Sequence, residues 1–219
     1  MFWNEQYKEK GCLWGNEPSE LAKIASRYLR EHISNRELSM LDIGCGYGRD
    51  ALYLSQNRNL TILGIDVSEE AIDIASRSVP DSQKEKLCFR HRDFREFVEG
   101  RYDIVFSSNL YQLLREDERR EFVKTVLRVL KSNGLLFLST LSVADPQHSG
   151  RGTPIPEESG SSQDLVYLHL CAEDELEEAF TSMNIKELFQ HEYDEHRVMG
   201  DHHHISWILI AENSTMQPK

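Results

Sequence analysis

The apolar run Met40-Leu41-Asp42-Ile43 leads directly into Gly44-Cys45-Gly46-Tyr47-Gly48 and then Arg49-Asp50. Three glycines at alternate positions let the main chain approach a bound molecule closely, and a helix opening there offers unpaired N–H groups to a carboxylate or phosphate. A second apolar run, Leu63-Gly64-Ile65, ends on Asp66-Val67-Ser68, about 20 residues beyond the glycines, as nucleoside binding requires. At the carboxyl edge of a neighbouring strand, the Asp66 carboxylate is placed to accept two hydrogen bonds from a ribose diol. Taken singly, the glycines also have a lesser reading as a mere tight turn, and Asp66 reads equally as an exposed residue before a helix. The pair is more specific than either part.

A second group with chemistry is the histidines. Of nine, five fall in one stretch: His191, His196, His202, His203 and His204. Side chains alternate along an extended chain, so at most two of the triplet His202-His203-His204 can converge. These imidazoles either contact a substrate, directly or through a metal and with help from His148 or His169, or decorate a solvated turn. No metal site is assigned on this basis. Just beyond the fourth apolar segment, Tyr102–Phe106, Asn109, Tyr111 and Gln112 stand where a substrate would lie, although Tyr111 fits a core position equally well. Trp3, Tyr7 and Trp14 either close over the site or anchor an N-terminal helix.

The elements that must position these residues follow from periodicity. Pro18-Ser19-Glu20 opens a helix with the stripe Leu21, Ile24, Ala25, Tyr28 and Leu29. Apolar segments at Leu38–Ile43, Leu60–Ile65, Leu87–Phe89, Tyr102–Phe106 and Leu135–Leu138 read as five strands. Helices are expected near Arg49, after an N-cap at Ser68, and near Glu116, the last stopping at Ser132-Asn133-Gly134. This alternation predicts an α/β, Rossmann-like three-layer sandwich. Residues 142–162, rich in Pro, Gly and Ser, read as a long loop. A helix over Ala172–Met183 and a hairpin of Ile185–Glu192 with Ile205–Ile210 complete the chain. The expected organisation is one domain over 1–212, with a helical cap or lid at 1–34 and a polar tail at 213–219.

With 39% apolar residues the chain can build a substantial core. No run approaches the ~20 residues of a membrane span, and Met1-Phe2-Trp3-Asn4-Glu5 has no signal-peptide character, so the expected location is cytoplasmic. Cys12, Cys45, Cys88 and Cys171 form no Cys-x-x-Cys pair and read as reduced, mostly buried thiols. Thirty-seven acidic residues against twenty-five basic ones give a net charge of −12, which repels nucleic acid and anionic membranes and favours a small-molecule partner. Oligomeric state is not readable.

Leu41-Asp42-Ile43-Gly44-Cys45-Gly46-Tyr47-Gly48 resembles motif I of the class I S-adenosylmethionine (SAM)-dependent methyltransferases, and Gly64-Ile65-Asp66-Val67-Ser68 resembles their motif II. Arg92-Asp93-Phe94, Tyr102–Leu110 and Leu127–Leu138 resemble later motifs, so the similarity runs over roughly residues 35 to 140. The resemblance implies a seven-stranded sheet whose last strand is antiparallel, SAM as cofactor and a methyl acceptor as substrate. It further implies that Gly44, Cys45 and Gly46 face the methionine moiety, Asp66 the ribose, and Asp93 and Phe94 the adenine, with Asp42 ordering the glycine turn. Gly48, Val67, Ser107 and Asn109 complete the implied cofactor set, and Trp3, Tyr7, Trp14, Tyr111 and His148 are substrate or lid candidates. Tyr111, His202, His203 and His204 are the catalytic candidates. The aromatic opening is loosely similar to the tellurite-resistance and small-molecule branches. A non-catalytic SAM-binding protein and an NAD-dependent dehydrogenase remain as alternatives; the latter needs Gly-x-Gly-x-x-Gly, whereas here the third glycine comes one position early and Arg49 takes its place.

Overall fold

The computed structural model describes residues 2–33, 36–57, 59–156, 158–163, 166–197 and 200–214; the side chains of 196, 197, 200 and 201 lie outside that description, and with them the imidazole of His196. In chain order the elements are α1 (Phe2–Lys10), α2 (Glu20–His32), β1 (Leu38–Ile43), α3 (Arg49–Leu54), β2 (Leu60–Asp66), α4 (Glu69–Arg77), β3 (Leu87–His91), β4 (Tyr102–Ser108), α5 (Glu116–Val129) and β5 (Leu130–Leu141). The short strands β6 (Thr153–Pro154), β7 (Ser161–Gln163) and β8 (Tyr167–His169) follow, then α6 (Glu173–Ala179), β9 (Asn184–Arg197) and β10 (Gly200–Glu212).

Seven strands form one sheet in the order β3-β2-β1-β4-β5-β10-β9. β1 to β5 run parallel, and β10, the last strand of the chain, lies antiparallel between β5 and β9. Alternation along each strand sorts the core into two faces. Leu41, Ile43, Val105, Leu136 and Leu138 meet Phe122, Val126 and Val129 of α5 and Leu176 of α6. Met40, Ile62, Ile104, Phe106 and Phe137 meet Leu21, Ile24, Ala25 and Leu29 of α2 and Ala51 and Leu54 of α3. The chain leaves β1 toward β2 on one side and returns to β4 on the other, so a crevice opens at their carboxyl ends, where ligands bind in such sheets.

Several expectations are corrected. Helix α5 ends at Val129 and β5 starts at once. Ser132-Asn133-Gly134 is therefore no helix stop but a clasp: Asn133 N donates to Asn213 O and Asn213 N to Gly134 O, while Asn213 Nδ2 reaches Leu130 O at 3.1 Å. Asn213, expected in the fraying tail, is thus buried, and 215–219 lie outside the described residues. The expected loop of 142–162 carries β6 and the start of β7, which pair with β8 beyond it in a small antiparallel sheet. A polar network anchors it: Arg119 Nη1 donates to the Tyr167 hydroxyl at 2.8 Å, Tyr167 donates to Glu158 at 2.6 Å, and His169 joins Ser161 Oγ to Glu175 at 2.8 and 2.7 Å. His169 is spent on that network. Helix α6 is shorter than expected, and the terminal hairpin is longer, carrying His202–His204 within β10 rather than in its turn. Cys12 and Cys88 are exposed, so only part of the buried-thiol expectation holds. No helix among the described residues is long and apolar enough to cross a membrane.

Ser68 caps α4 as expected, its Oγ accepting from Ala71 N at 3.2 Å. Ser68→Ala is expected to cost about 1 kcal/mol in urea unfolding; an unchanged midpoint would show that the cap does not hold the helix.

Candidate functional site

A cavity of about 620 Å³ opens at the carboxyl ends of β1, β2 and β4, within the ~300–1,000 Å³ typical of small-molecule sites. Gly44 and Gly46 turn the chain there with φ of +74° and +53°, conformations that glycine adopts without a Cβ penalty. The end of β2 fastens this turn. Gly44 N and Cys45 N both donate to Ile65 O, at 2.9 and 3.1 Å, and Gly46 N donates to Asp66 Oδ2 at 2.9 Å. The other carboxylate oxygen accepts from Ser68 N at 2.8 Å. Burial raises the Asp66 pKa against these two bonds.

Asp42 does not order the turn, contrary to expectation. Its side chain lines the cavity wall, buried, and no hydrogen bond to it occurs among the described residues. Burial, reinforced by the charges of Asp50 and Asp66, drives its pKa well up. The same causes, burial first and then Asp42 and Asp66, keep the Cys45 thiol protonated. Asp93 and Phe94 lie on the same wall, the Asp93 carboxylate forked by Arg95 through Nε at 3.0 Å and Nη2 at 2.5 Å. Burial alone would raise the Asp93 pKa, but the Arg95 bonds hold it low.

The N-terminal aromatics close over the turn. Asn4 Oδ1 accepts from Glu70 N at 3.0 Å and from Ser68 Oγ at 3.2 Å, docking α1 on the first turn of α4. The Tyr47 hydroxyl donates to Gly15 O at 2.6 Å and accepts from Trp14 N at 3.1 Å, while Arg49 Nη1 donates to Trp14 O at 2.6 Å. Trp3, Tyr7 and Trp14 therefore line the cavity. A Cβ on Gly46 would lie 2.8 Å from the Tyr7 hydroxyl.

Of the other candidates, Val67, Asn109, His148 and His204 also face the cavity, whereas Gly48, Ser107, Tyr111, His202 and His203 do not line it. Gly48, at φ +80°, packs against Phe89 and Ala75. The Ser107 hydroxyl donates to Ile43 O at 3.0 Å, joining β4 to β1. Tyr111 is 2% exposed, with Phe122 and Phe180 rings 5.7 and 6.1 Å away; it is core. His203 points to the opposite side of β10 from His204 and binds Asp194 and Glu192 at 2.8 Å each. His202 lies beside His204, with ring centroids 5.8 Å apart.

The far wall holds Gln112, expected there, and three residues that sequence reasoning missed: Asp145, Tyr193 and Glu195. Asp145 is fully buried between two imidazoles, with His148 Nδ1 at 2.8 Å and His204 Nδ1 at 3.1 Å. Its signal was the spacing Asp145-Pro146-Gln147-His148, since an Asp can accept from main-chain N–H groups two and three residues on. Gln112 Oε1 accepts from Leu141 N at 3.2 Å. Burial opposes charge on His204, but the bond to Asp145 and the Glu195 carboxylate 3.6 Å from Nε2 outweigh it and lift its pKa to about 9. Burial likewise works against ionised Asp145, yet His148, His204 and Ile205 N hold it far below the carboxylate range.

Residues 40–134 match the family described as "Methyltransferase domain". A putative methyltransferase of Bacillus subtilis, YqeM, is 32% identical over 107 residues, 47% of this chain; the chain spans only 42% of that relative's length. Among solved structures, a SAM-dependent methyltransferase of Methanosarcina mazei superposes with a TM-score of 0.72 at 24% identity, over 86% of this chain and 97% of that one. TehB of Haemophilus influenzae superposes with a TM-score of 0.67 at 18% identity, over 96% and 67%.

Two predictions follow from the geometry. Gly48→Ala would bring a Cβ within 2.6 Å of the Phe89 ring and is expected to destabilise by about 1–3 kcal/mol in chemical unfolding; no loss would mean the ring moves freely. The folded His204 pKa of about 9 lies above the ordinary imidazole value of ~6.5. Its stabilisation is thus complete below about pH 6.5 and lost as pH rises toward 9. Thermal unfolding from pH 6 to 10 should show that decline in the native chain and a flatter one in His204→Gln; equal slopes would contradict the pairing.

Proposed function

We propose that the chain is a SAM-dependent methyltransferase acting on a small molecule, a reading supported by the match of residues 40–134 to a methyltransferase-domain family and by the fold shared with a SAM-dependent methyltransferase. The observation that supports this best is that the glycine turn, Asp66 and Asp93 line a single cavity. SAM supplies a methyl group already activated on a sulfonium, so the protein's main task is to align donor and acceptor.

The residues fit that cofactor. An ionised carboxylate has about four acceptor positions; Asp66 uses two on Gly46 N and Ser68 N, leaving two for the ribose hydroxyls. Asp42, buried with no hydrogen-bond partner among the described residues, gains its natural counterpart from the cationic end of the methionine moiety, because a nearby positive charge favours the ionised carboxyl. Phe94 and Asp93 serve the adenine. Trp3, Tyr7 and Trp14 offer ring faces to a cation, with 1–34 acting as a cap over the single domain of 1–212. Asn109, Gln112, His148, Tyr193 and His204 bound the acceptor end. The net charge of −12 argues against nucleic acid and for a small-molecule substrate.

Calorimetry with SAM, S-adenosylhomocysteine and NAD tests the reading: the first two are expected to bind and NAD not, and binding of NAD alone would overturn it. Asp66→Ala should weaken SAM binding by ~1–3 kcal/mol, about 5- to 150-fold in Kd. Unchanged affinity in the folded variant would refute that assignment.

A further inference from the structure

Alignment alone leaves the cluster of buried Asp145 and His204 with half-buried His148 without a role. Asp145 Oδ1 accepts from Gln147 N at 3.0 Å, His148 N at 3.0 Å and His148 Nδ1 at 2.8 Å. Its Oδ2 accepts from Ile205 N at 2.9 Å and His204 Nδ1 at 3.1 Å. A carboxylate carries about four acceptor positions and no proton of its own, so five donors fill it, and both Nδ1 atoms must bear hydrogen. The two imidazoles then part company. His204 is 3% exposed and has Glu195 Oε2 3.6 Å from Nε2, a setting for a cation. His148 lies over it, ring centroids 5.5 Å apart and planes 14° from parallel, and lines the cavity. The Nε2 of His148 has no hydrogen-bond partner among the described residues. A base needs its proton-bearing nitrogen held by a third group and its other nitrogen facing the substrate. His148 meets the first condition through Asp145, and it lines the cavity with Nε2 not engaged by any described residue.

Resting on the methyltransferase reading, we propose that His148 is the general base, that Asp145 positions it, and that the acceptor is a protic group, a hydroxyl or a thiol. A lone pair on the acceptor oxygen or sulfur forms the bond to the methyl carbon as the carbon–sulfur bond breaks, its electrons going to sulfur to leave S-adenosylhomocysteine. The acceptor's proton passes to His148 Nε2 and from there to water, so acceptor and SAM yield methylated acceptor, S-adenosylhomocysteine and one proton. An acceptor arriving without a proton, such as a halide, would need none of this apparatus. The titratable and charged groups around the pair are Arg151 of the same loop, Tyr193 and Glu195 of β9, His202 and His204 of β10, and Arg49 of α3, which acts on Tyr193. The three side chains also bring one ligand atom each within 4.8 Å of the others, but a cation there would have to displace hydrogens already given to Asp145.

Two measurements on the full chain test this. In nitrogen-15 spectra of the histidine rings at pH 7.5, His148 should carry its proton on Nδ1 and His204 on both nitrogens. Asp145→Asn should release the His148 tautomer, and because that buried change can impair folding, His148→Gln is the companion variant. A His148 proton on Nε2, or tight stoichiometric Zn²⁺ binding that removes the His204 protons, would overturn the proposal. With a panel of phenols and thiols of graded acidity, His148→Gln should leave SAM affinity unchanged. It should lower kcat/KM about 10²- to 10⁴-fold for the weakest acids and progressively less for acceptors already ionised. A loss independent of acceptor acidity, or none, would defeat the base. If the native chain binds SAM and methylates no panel member while the ring spectra stand, the methyltransferase reading fails instead.

Discussion

Two main-chain N–H groups, those of Gly46 and Ser68, converge on the carboxylate of Asp66. That convergence links three things that sequence keeps apart: the glycine turn after β1, the end of β2 and the start of α4. Ile65 O reinforces it by accepting from Gly44 and Cys45. Parallel pairing of β1 with β2, Ile43 opposite Ile65, brings the two strand ends level. The cavity exists because this tie holds the turn open with its glycine faces bare.

Around that tie the charges are arranged against one another. Asp50 and Asp66 sit close enough to raise the pKa of Asp42, where burial already disfavours the ionised form. Ser19 relieves Asp50 with two bonds of 2.7 Å, and the turn relieves Asp66. Asp42 alone is left without a hydrogen bond among the described residues. At the opposite end the imbalance is resolved internally, Asp145 being surrounded by donors and His204 by carboxylates. One end of the cavity thus asks for a cation, while the other has settled its charges and keeps one imidazole nitrogen for chemistry.

The glycine turn and Asp66 were legible in the sequence because their conformations and edge positions restrict residue type. The strands of the main sheet were legible because burial on one or both faces writes itself into alternation or apolar runs. The role of Asp42 was not legible: spacing alone cannot say which of two carboxylates near a turn receives its N–H groups. The β6-β7-β8 sheet escaped because strands of two or three residues, such as Thr153–Pro154, are too short to show a period. For the histidine triplet, alternation foretold that not all three could converge. Which parity faced inward depended on hairpin register, His204 opposite Tyr193, and no local signal encodes that. Asp145 escaped because its local turn with Gln147 and His148 shows only half its role; His204 and Ile205, 59 and 60 positions on, complete it.

The most direct test of the central claim is a crystal structure with S-adenosylhomocysteine. The account predicts the adenosyl group against Gly44–Gly46, both ribose hydroxyls on Asp66, and the adenine against Phe94 beside Asp93. A ligand bound with its ribose away from Asp66, or in a different cavity, would contradict it.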